Sequence, residues 1–374
     1  MATIVVSANQ AWNLVNFRTA VLSALGADGH RIVALAPPDP VAQAALARLG
    51  VEFHALTIDA KGVSPHRDAA LTARYYHAFR TLKPAAYLAW TIKPNIYGGI
   101  AAGLAGVPFI PNISGLGTAF IRESLLTRIV RALYRVGLRS ANTVFFQNED
   151  DRRMFVDMGL VRPSKAVRIP GSGISVERFV PPENETRAAP KLFLLVARLL
   201  GDKGVREFVD AARSIRSRRQ DMNFGLLGAA DAENRTAISS AELSAWVAEG
   251  VVEHWPPVDD VRPMMLRADA VVLPSYREGV SRVLLEASAL ARPLVTTDVP
   301  GCRDVVEDGK TGFLAQARDA SSLAQAMERV ADLPDADWRA MGAAGRRKVA
   351  DEFSEAAVVA AYRNALCKAW ARAT

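Results

Sequence analysis

The segment ADAVVLPSYREGVSRVLLEASALARPLVTTD, residues 268–298, contains two short apolar runs with a longer amphipathic stretch between them. The runs ADAVVLPS and RPLVTTD are rich in valine, leucine and threonine, which is typical of buried strands. Between them, Ser281 is a candidate N-cap, and the residues after it favour a helix. A strand, a loop, a helix and a second strand in this order predict a βαβ unit of a parallel sheet.

The same alternation of strands and helices extends through the whole chain. Further strand candidates are TIVVSA, RIVALAP, AAYLAWT and TVFFQN in the first half and KLFLLVA, FGLLGAA and VVEHW in the second. A chain of 374 residues is too long for one ordinary core, and half of its residues are hydrophobic. We therefore predict two α/β domains with parallel sheets.

The domain boundary is predicted where IPGSGISVERFVPPENETRAAP, residues 169–190, is rich in glycine, proline and charge. We expect an N-terminal domain over residues 1–170, a linker over 171–186 and a C-terminal domain over 187–353. The final helix, residues 354–374, could pack back on the N-terminal domain as well as on the second.

Composition restricts the partners of the chain. The formal net charge of +7 favours anionic partners: nucleotide phosphates, an acidic membrane surface or nucleic acid. Nucleic acid is not expected, because the sequence lacks zinc-finger spacing, an aromatic RNA-binding signature and a long basic tail. Cys302 and Cys367 lie far apart, which suits a reducing cytosol and a fold without disulfides. No run of about 20 apolar residues occurs, so a soluble protein is expected.

The loops after the strands carry the candidate functional residues, because ligands of parallel sheets bind at the carboxyl ends of the strands. No strand is followed by a G-x-G-x-x-G fingerprint or a P-loop, which disfavours a nicotinamide dehydrogenase and a P-loop NTPase. In VARLLGDKGVREFVDAAR (196–213), Arg198 ends a strand, and Lys203 and Gly204 open the next helix. Two cations beside free helix amides suit a diphosphate, although solvated charge with Gly204 as a turn residue explains the same pattern.

Two glutamates, Glu278 and Glu286, stand on either side of the candidate N-cap Ser281. Helical side chains lean toward the N-terminus of their helix, so the carboxylate of Glu286 can approach the first-turn amides and face the same site as Glu278. Acidic residues at a helix start also complement the helix dipole, and spacing alone favours that simpler explanation.

Two long segments resemble the C-terminal half of the family-4 retaining glycosyltransferases: ARLLGDKGVREF (197–208) and REGVSRVLLEASALARPLVTTDVPGCRDVVEDGKTGFL (277–314). That family has the GT-B fold, an α/β architecture of two Rossmann-like domains facing each other across a cleft. Its E-x7-E signature corresponds to Glu278 and Glu286. Three N-terminal segments resemble bacterial enzymes that add an N-acetylhexosamine to sugars on undecaprenyl diphosphate: WNLVNFRTAVLSAL (12–25), TIKPNIYG (91–98) and ISGLGTAF (113–120).

The resemblance implies a role for each residue of the predicted donor site. Arg198 and Lys203 would hold the donor diphosphate and stabilise the charge that develops on it as the glycosidic bond breaks. Glu278 would bind the donor sugar and is the third catalytic candidate. The nucleobase would lie near residues 253–260. The remaining donor-binding candidates are the amides of Gly279, Val280 and Ser281, which would contact the sugar or the phosphates, and Glu286, which would accept from the ribose hydroxyls.

The resemblance also implies that neither a metal nor a cofactor is required, since arginine and lysine take the place of a cation. Asp335-Ala-Asp337 superficially resembles a D-x-D metal motif, but it follows Leu-Pro, so an N-capped helix start is the better interpretation. The five histidines show no metal-ligand spacing. We therefore predict a metal-independent enzyme.

The acceptor side departs from the family pattern. Many family-4 enzymes have a histidine in the N-terminal loop where this chain reads SGLGT, residues 114–118. We interpret this loop as a trait of the closer subgroup, and a tight turn is its simpler explanation. The weaker acceptor-side candidates in the N-terminal half are Asn13, Asn16, Lys93, Asn112, Ser114 and Thr118.

A basic helix is predicted in RESLLTRIVRALYRVGLRS, residues 122–140. Four arginines recur on one face, and four apolar residues lie beside them: Arg128, Arg131, Arg135 and Arg139, with Leu125, Ile129, Leu133 and Val136. Such a stripe suits a helix lying on an anionic bilayer. Without the resemblance, a surface helix whose apolar side packs into its domain is the simpler interpretation.

The resemblance implies a retaining transferase that moves a sugar, expected to be an N-acetylhexosamine, from a UDP-sugar to a polyprenyl-diphosphate-linked acceptor. The expected pathway is bacterial surface polysaccharide or glycoprotein glycan assembly on the cytoplasmic face of the inner membrane. Two alternatives have the same fold: an enzyme like UDP-N-acetylglucosamine 2-epimerase, and a non-catalytic scaffold. The cations Arg198 and Lys203 and the paired glutamates disfavour both alternatives.

Overall fold

The computed structural model describes residues 1–59, 64–116, 125–183, 187, 189–230, 234 and 236–371. The chain divides into two compact units. We call Met1–Gly173 with Glu355–Thr374 the N-terminal domain, and Ile174–Ser354 the C-terminal domain. Each contains one parallel sheet with helices between the strands, so the predicted α/β class with two Rossmann-like domains is confirmed.

The N-terminal domain has a sheet in the order β3-β2-β1-β4-β5-β6-β7 among its described residues. Its elements are β1 (Thr3–Ser7), α1 (Ala11–Ala27), β2 (Arg31–Ala36), α2 (Pro40–Arg48), β3 (Glu52–Ala55), α3 (Pro65–Leu82), β4 (Ala86–Trp90), a π-helical turn (Pro94–Gly98), α4 (Gly99–Ala105), β5 (Phe109–Ile113), α5 (Leu125–Gly137), β6 (Val144–Phe146), α6 (Glu149–Asp157) and β7 (Ala166–Arg168). Apolar side chains from both faces of the sheet form its core.

The C-terminal domain has a sheet in the order β10-β9-β8-β11-β12-β13 among its described residues. Its elements are β8 (Lys191–Val196), α7 (Val205–Arg216), β9 (Met222–Leu227), α8 (Ser240–Ala248), β10 (Glu253–Trp255), α9 (Arg262–Leu266), β11 (Ala270–Leu273), α10 (Arg282–Ala289), β12 (Leu294–Thr297), β13 (Gly312–Ala315), α11 (Ala320–Ala331) and α12 (Asp335–Glu352). The predicted βαβ unit is β11, α10 and β12, and β11 pairs in parallel with β12.

The last helix, α13 (Glu355–Trp370), packs on the N-terminal domain. The hydroxyl of Tyr362 accepts a hydrogen bond from the indole of Trp90 in β4, at 2.7 Å. Arg363 forms an ion pair with Asp28 after α1, at 2.6 Å. These contacts join α13 to β4 and to the end of α1.

The described residues between Ile174 and β8 belong structurally to the C-terminal domain. Ile174 N–H donates to the Phe353 carbonyl at 2.7 Å, and the Arg346 guanidinium donates to the Val176 carbonyl at 3.0 Å. Phe179 is buried in the core of that domain. Part of the segment that the sequence predicts as a linker, residues 171–186, is therefore packed, and residues 184–186 lie outside the described residues.

The order of the strands indicates where the C-terminal sheet can bind a ligand. In the C-terminal sheet, β8 is flanked by β9 on one side and β11 on the other, so the connections leave in opposite directions. Ligands of open parallel sheets bind outside the carboxyl ends of the strands at such a switch point. The loops after β8 and β11 meet there, and they carry Lys203 and Glu278.

Candidate functional site

The loop after β8 requires a glycine where α7 begins. Lys203 ends a short 3-10 turn, Gly201–Lys203, and Gly204 follows it with a φ of +72°. A Cβ atom at Gly204 would lie 2.1 Å from the carbonyl oxygen of Pro274, in the loop after β11. The start of α7 and the loop after β11 are therefore in direct backbone contact.

This contact brings together Lys203 from the first loop and Glu278 from the second, which are both predicted catalytic residues. The ammonium of Lys203 forms an ion pair with the carboxylate of Glu278, 75 residues further along the chain. Tyr276 N–H donates to the Asp202 carbonyl at 3.0 Å, and the Tyr276 hydroxyl donates to Glu207 in α7 at 2.5 Å. The side chains of Lys203 and Glu278 are 24% and 14% exposed, so the pair is accessible to a ligand but shielded from bulk water.

A third loop, after β12, holds the backbone around Glu278 through hydrogen bonds. Glu278 N–H donates to the Pro300 carbonyl at 3.0 Å, and Ser281 N–H donates to the Gly301 carbonyl at 3.3 Å. Gly301 has a φ of +79°, and its own N–H donates to the Asp304 carboxylate at 2.9 Å. A Cβ atom at Gly301 would lie 2.4 Å from the Glu278 carbonyl oxygen. The position of Glu278 thus depends on a residue to which the sequence analysis gives no role.

Helix α10 begins as predicted. Ser281 is its N-cap, and the Ser281 hydroxyl accepts from Leu284 N–H at 3.4 Å. The carboxylate of Glu286 accepts from the Arg282 guanidinium in the first turn, at 2.8 Å. Burial raises the pKa of Glu286 above its ordinary value, although Arg282 and Arg178 oppose the shift. Glu286 is therefore a largely buried carboxyl group, 16% exposed, rather than a solvated residue at a helix end.

The other donor-side candidates lie at the same edge of the sheet. Arg198 is exposed two residues beyond the end of β8. Gly279 is buried and Val280 is half-buried in the short connection from Glu278 to α10. Their backbone lies directly before the N-terminus of α10, where the helix dipole favours an anion.

On the acceptor side, Lys93 follows β4 and is buried. Its ammonium forms an ion pair with Asp68 of α3 at 2.8 Å, and the hydroxyl of Tyr97 donates to the same carboxylate at 2.9 Å. Burial opposes ionisation of Asp68, but hydrogen bonds from Lys93 and Tyr97 hold its pKa below the ordinary value. Lys93 therefore joins α3 to the π-helical turn, and its acceptor role stays a prediction.

The remaining acceptor candidates are scattered over the N-terminal domain. Asn112 is fully buried in β5, and its amide donates to the Tyr362 hydroxyl of α13 at 3.0 Å. On α1, Asn16 is exposed and donates to the Trp12 carbonyl, while Asn13 is half-buried. Ser114 follows β5 and is half-buried. Thr118 lies outside the described residues.

The suspected D-x-D motif forms the start of α12, as predicted, but no side chain caps this helix, so the predicted N-cap is wrong. The helix begins at Asp335 with Asp337 in its first turn, and Pro334 rather than an aspartate occupies the N-cap position. Within the described ranges, no group of three or more histidine, cysteine, aspartate or glutamate side chains is arranged to hold a metal ion. Metal independence itself stays a prediction.

Both halves of the chain match models of known protein families. The model of the glycosyl transferase 4-like domain matches residues 17–171, and that of the glycosyl transferases group 1 matches residues 190–332. The N,N'-diacetylbacillosaminyl-diphospho-undecaprenol alpha-1,3-N-acetylgalactosaminyltransferase of Campylobacter jejuni is 28% identical over 249 residues. That alignment covers 62% of this chain and 64% of the Campylobacter protein, which is just under two thirds of its length.

Two further similarities extend over more of the chain. The capsular polysaccharide biosynthesis glycosyltransferase CapM of Staphylococcus aureus is 24% identical over 288 residues, 74% of each protein. The crystal structure of Anabaena HepE in complex with UDP and glucose superposes with a TM-score of 0.80 at 16% identity, covering 98% of this chain and all of that one. The structural match confirms the GT-B fold class. The two family models together show that the chain belongs to the group 1 glycosyl transferases with a family-4-like N-terminal domain.

Proposed function

We propose that the chain is a retaining, metal-independent glycosyltransferase that moves an N-acetylhexosamine from a UDP-sugar to a polyprenyl-diphosphate-linked acceptor. The observation that carries the proposal is the Lys203–Glu278 pair at the switch point of the C-terminal sheet. The ammonium of Lys203 suits the diphosphate of a nucleotide sugar, and the carboxylate of Glu278 suits the hydroxyls of its sugar.

The remaining donor-site residues extend this assignment. Arg198 and Lys203 take the diphosphate, and they stabilise the negative charge that grows on it as the bond to the sugar breaks. Glu286 accepts from the ribose hydroxyls. In a front-face reaction the bond electrons leave with the UDP oxygen, the acceptor hydroxyl attacks the same face of the sugar, and the departing phosphate oxygen takes the acceptor proton. No protein nucleophile is needed for this sequence.

The substrate classes are supported by relatives. The Campylobacter protein is named for an undecaprenyl-diphosphate-linked acceptor and for N-acetylgalactosamine transfer. Anabaena HepE has been crystallised with UDP and glucose, which favours UDP as the nucleotide. CapM of Staphylococcus aureus is named for capsular polysaccharide biosynthesis, which fits assembly of a bacterial surface glycan.

The proposal is tested by a screen of UDP- and GDP-sugars with a short polyprenyl-diphosphate-linked saccharide, read out as nucleotide release. We expect UDP release from a UDP-N-acetylhexosamine that is accelerated by the acceptor. An epimerase would instead form the 2-epimer in the absence of acceptor, either as a UDP-sugar or, with hydrolysis, as a free sugar together with UDP. Absence of turnover with every nucleotide sugar would favour a scaffold.

The buried carboxyl of Glu286 leads to a pH prediction. Only the ionised form can accept from two ribose hydroxyls, and burial raises the pKa of this group. Donor affinity should therefore be complete above the raised pKa and should weaken as the pH falls through it, at a higher pH than for an ordinary glutamate. Glu286→Gln should weaken UDP binding by about 1–3 kcal/mol near neutral pH and should show a flatter pH profile.

Titration calorimetry of UDP against both proteins at several pH values checks this prediction. The difference between the two profiles removes the protonation of UDP itself, which is common to both. Parallel profiles would contradict the ribose role and would leave Glu286 as a residue that only stabilises the helix start.

A membrane contact through α5 is part of the proposal. The buried residues in the described part of the helix are Thr127, Val130, Tyr134 and Gly137, and Leu138 is buried just after the helix ends. The exposed residues of α5 and of the turn after it combine three arginines with two apolar side chains: Arg128, Arg135 and, beyond the helix end at Gly137, Arg139, with Ile129 (42% exposed) and Val136 (56% exposed). Among the described residues, no helix is long and apolar enough to span a bilayer. A mixed basic and apolar face of this kind suits reversible contact with acidic lipid on the cytoplasmic side of the membrane.

Charge reversal on this face should weaken binding to acidic vesicles. Each arginine near an anionic surface contributes about 1 kcal/mol, so Arg128→Glu with Arg135→Glu should strongly reduce co-sedimentation with phosphatidylglycerol vesicles at low salt. Arg131 is half-buried and is a poorer choice. The control is Arg74→Glu with Arg80→Glu, two exposed residues of α3. Hydrolysis of soluble donor should stay unchanged, and equal vesicle binding by both double variants would exclude α5 as the contact.

A further inference from the structure

Ser275 lies directly beside the proposed sugar-binding carboxylate. It follows β11 and is fully buried. Its hydroxyl is 2.7 Å from Oε1 of Glu278, 3.2 Å from the Asp202 carbonyl oxygen and 3.5 Å from the Arg277 carbonyl oxygen. A hydroxyl has one proton to donate, and the shortest contact is to the charged acceptor. The Ser275 hydroxyl therefore donates to Glu278.

The same carboxylate oxygen is also the partner of Lys203. Oε1 of Glu278 accepts both from the Lys203 ammonium and from the Ser275 hydroxyl. The donor diphosphate competes for Lys203, because a phosphate oxygen and a carboxylate oxygen offer the same kind of acceptor to one ammonium. A largely buried carboxylate that loses its cation needs another donor to stay in place. Ser275 is already in position to supply it.

The backbone of Ser275 is itself fixed on two sides. The hydroxyl of Thr297, at the end of β12, donates to the Ser275 carbonyl. The next residue, Tyr276, is tied to the Asp202 carbonyl through its N–H at 3.0 Å. The backbone at Ser275 is thus held by two neighbouring elements, and neither contact involves the side chain of Lys203.

We propose that Ser275 is a positioning residue, which keeps the carboxylate of Glu278 aimed at the donor sugar when Lys203 turns to the diphosphate. The inference rests on the proposed function of this site. It separates two roles: Lys203 acts on the nucleotide, whereas Ser275 acts on the sugar through Glu278. Loss of Ser275 therefore lowers kcat, while UDP affinity is retained.

Three variants test this role in the full chain. A hydrogen bond to a charged group contributes about 1.5–3 kcal/mol, so Ser275→Ala should lower kcat for sugar transfer by about tenfold to a hundredfold. Ser275→Thr keeps the hydroxyl and should recover most of the rate. Ser288→Ala is the matched control, because Ser288 is also fully buried and its hydroxyl has no hydrogen-bond partner in the described part of the chain.

UDP affinity, measured by calorimetry, separates positioning from a general loss of structure. We expect Ser275→Ala to bind UDP within about twofold of the wild type, since the start of α7 is unchanged. Transfer by Ser275→Ala at the wild-type rate would overturn the inference, as would equal loss of UDP affinity and rate in both Ser275 variants. Failure of the proposed function is distinguishable, because the wild type would then show no transfer at all.

Discussion

Replacing Lys203 with alanine is expected to lower kcat by about a hundredfold or more, because the ammonium is proposed to stabilise charge that develops on the leaving diphosphate. The side chain is only 24% exposed, so water does not easily replace it. The variant keeps Gly204 and the helix start that the glycine allows. Single-turnover kinetics with saturating donor measure the effect on the chemical step.

The control for Lys203 is Lys310→Ala. Lys310 is exposed and pairs with Glu307 on the surface of the same domain, at 2.7 Å. The Lys310→Ala substitution removes the same positive charge and should leave kcat unchanged. Thermal unfolding verifies that the Lys203 variant is folded, and wild-type turnover in a folded Lys203→Ala protein would exclude the assigned diphosphate site.

Replacing Gly301 with alanine should reduce transfer by about a hundredfold or more, although Gly301 contacts no substrate in the proposed reaction. The new Cβ atom would meet the carbonyl oxygens of Glu278 and Gly279 at 2.4 and 2.5 Å. Both contacts are with backbone, so the Glu278 loop or the loop after β12 must move. A displacement of about 1 Å at a catalytic group is enough to cost two orders of magnitude in rate.

Gly309→Ala is the matched control for this prediction. Gly309 has a φ of +76°, nearly that of Gly301, and a Cβ atom there meets no atom within 4 Å. The control therefore has the backbone strain of a positive φ without the collision. If the two variants lost activity equally, strain rather than displacement of Glu278 would explain the effect.

The central strands could be predicted from the sequence because parallel strands buried on both faces are continuous apolar runs. The edge strands β3, β7 and β13 are not among the strand candidates, and neither is the buried central strand β5, whose apolar residues are interrupted by Pro111 and Asn112. β3 reads EFHA and is mostly exposed, β7 reads AVR with two exposed residues, and β13 starts with Gly312. Edge strands need no apolar run, so their patterns do not differ from those of loops.

The site was predictable only in part. Lys203, Glu278 and the N-cap Ser281 stand out because charge, glycine and helix-start signals coincide in short segments. Ser275 and Gly301 do not stand out, because their importance comes from loops that meet in space. Gly301 touches Glu278 from a loop 23 residues later, and no local pattern encodes that contact. Lys93 forms a buried ion pair with Asp68, so its place after a strand end does not by itself indicate a ligand-binding role, and that role stays a prediction.

The most direct test of sugar transfer is mass spectrometry of a polyprenyl-diphosphate-linked saccharide after incubation with the protein and a UDP-N-acetylhexosamine. We predict that the acceptor gains the mass of one N-acetylhexosamine, with one UDP released for each sugar transferred. An acceptor whose mass is unchanged with every UDP-sugar, while the donor is hydrolysed or epimerised, would contradict the proposed function.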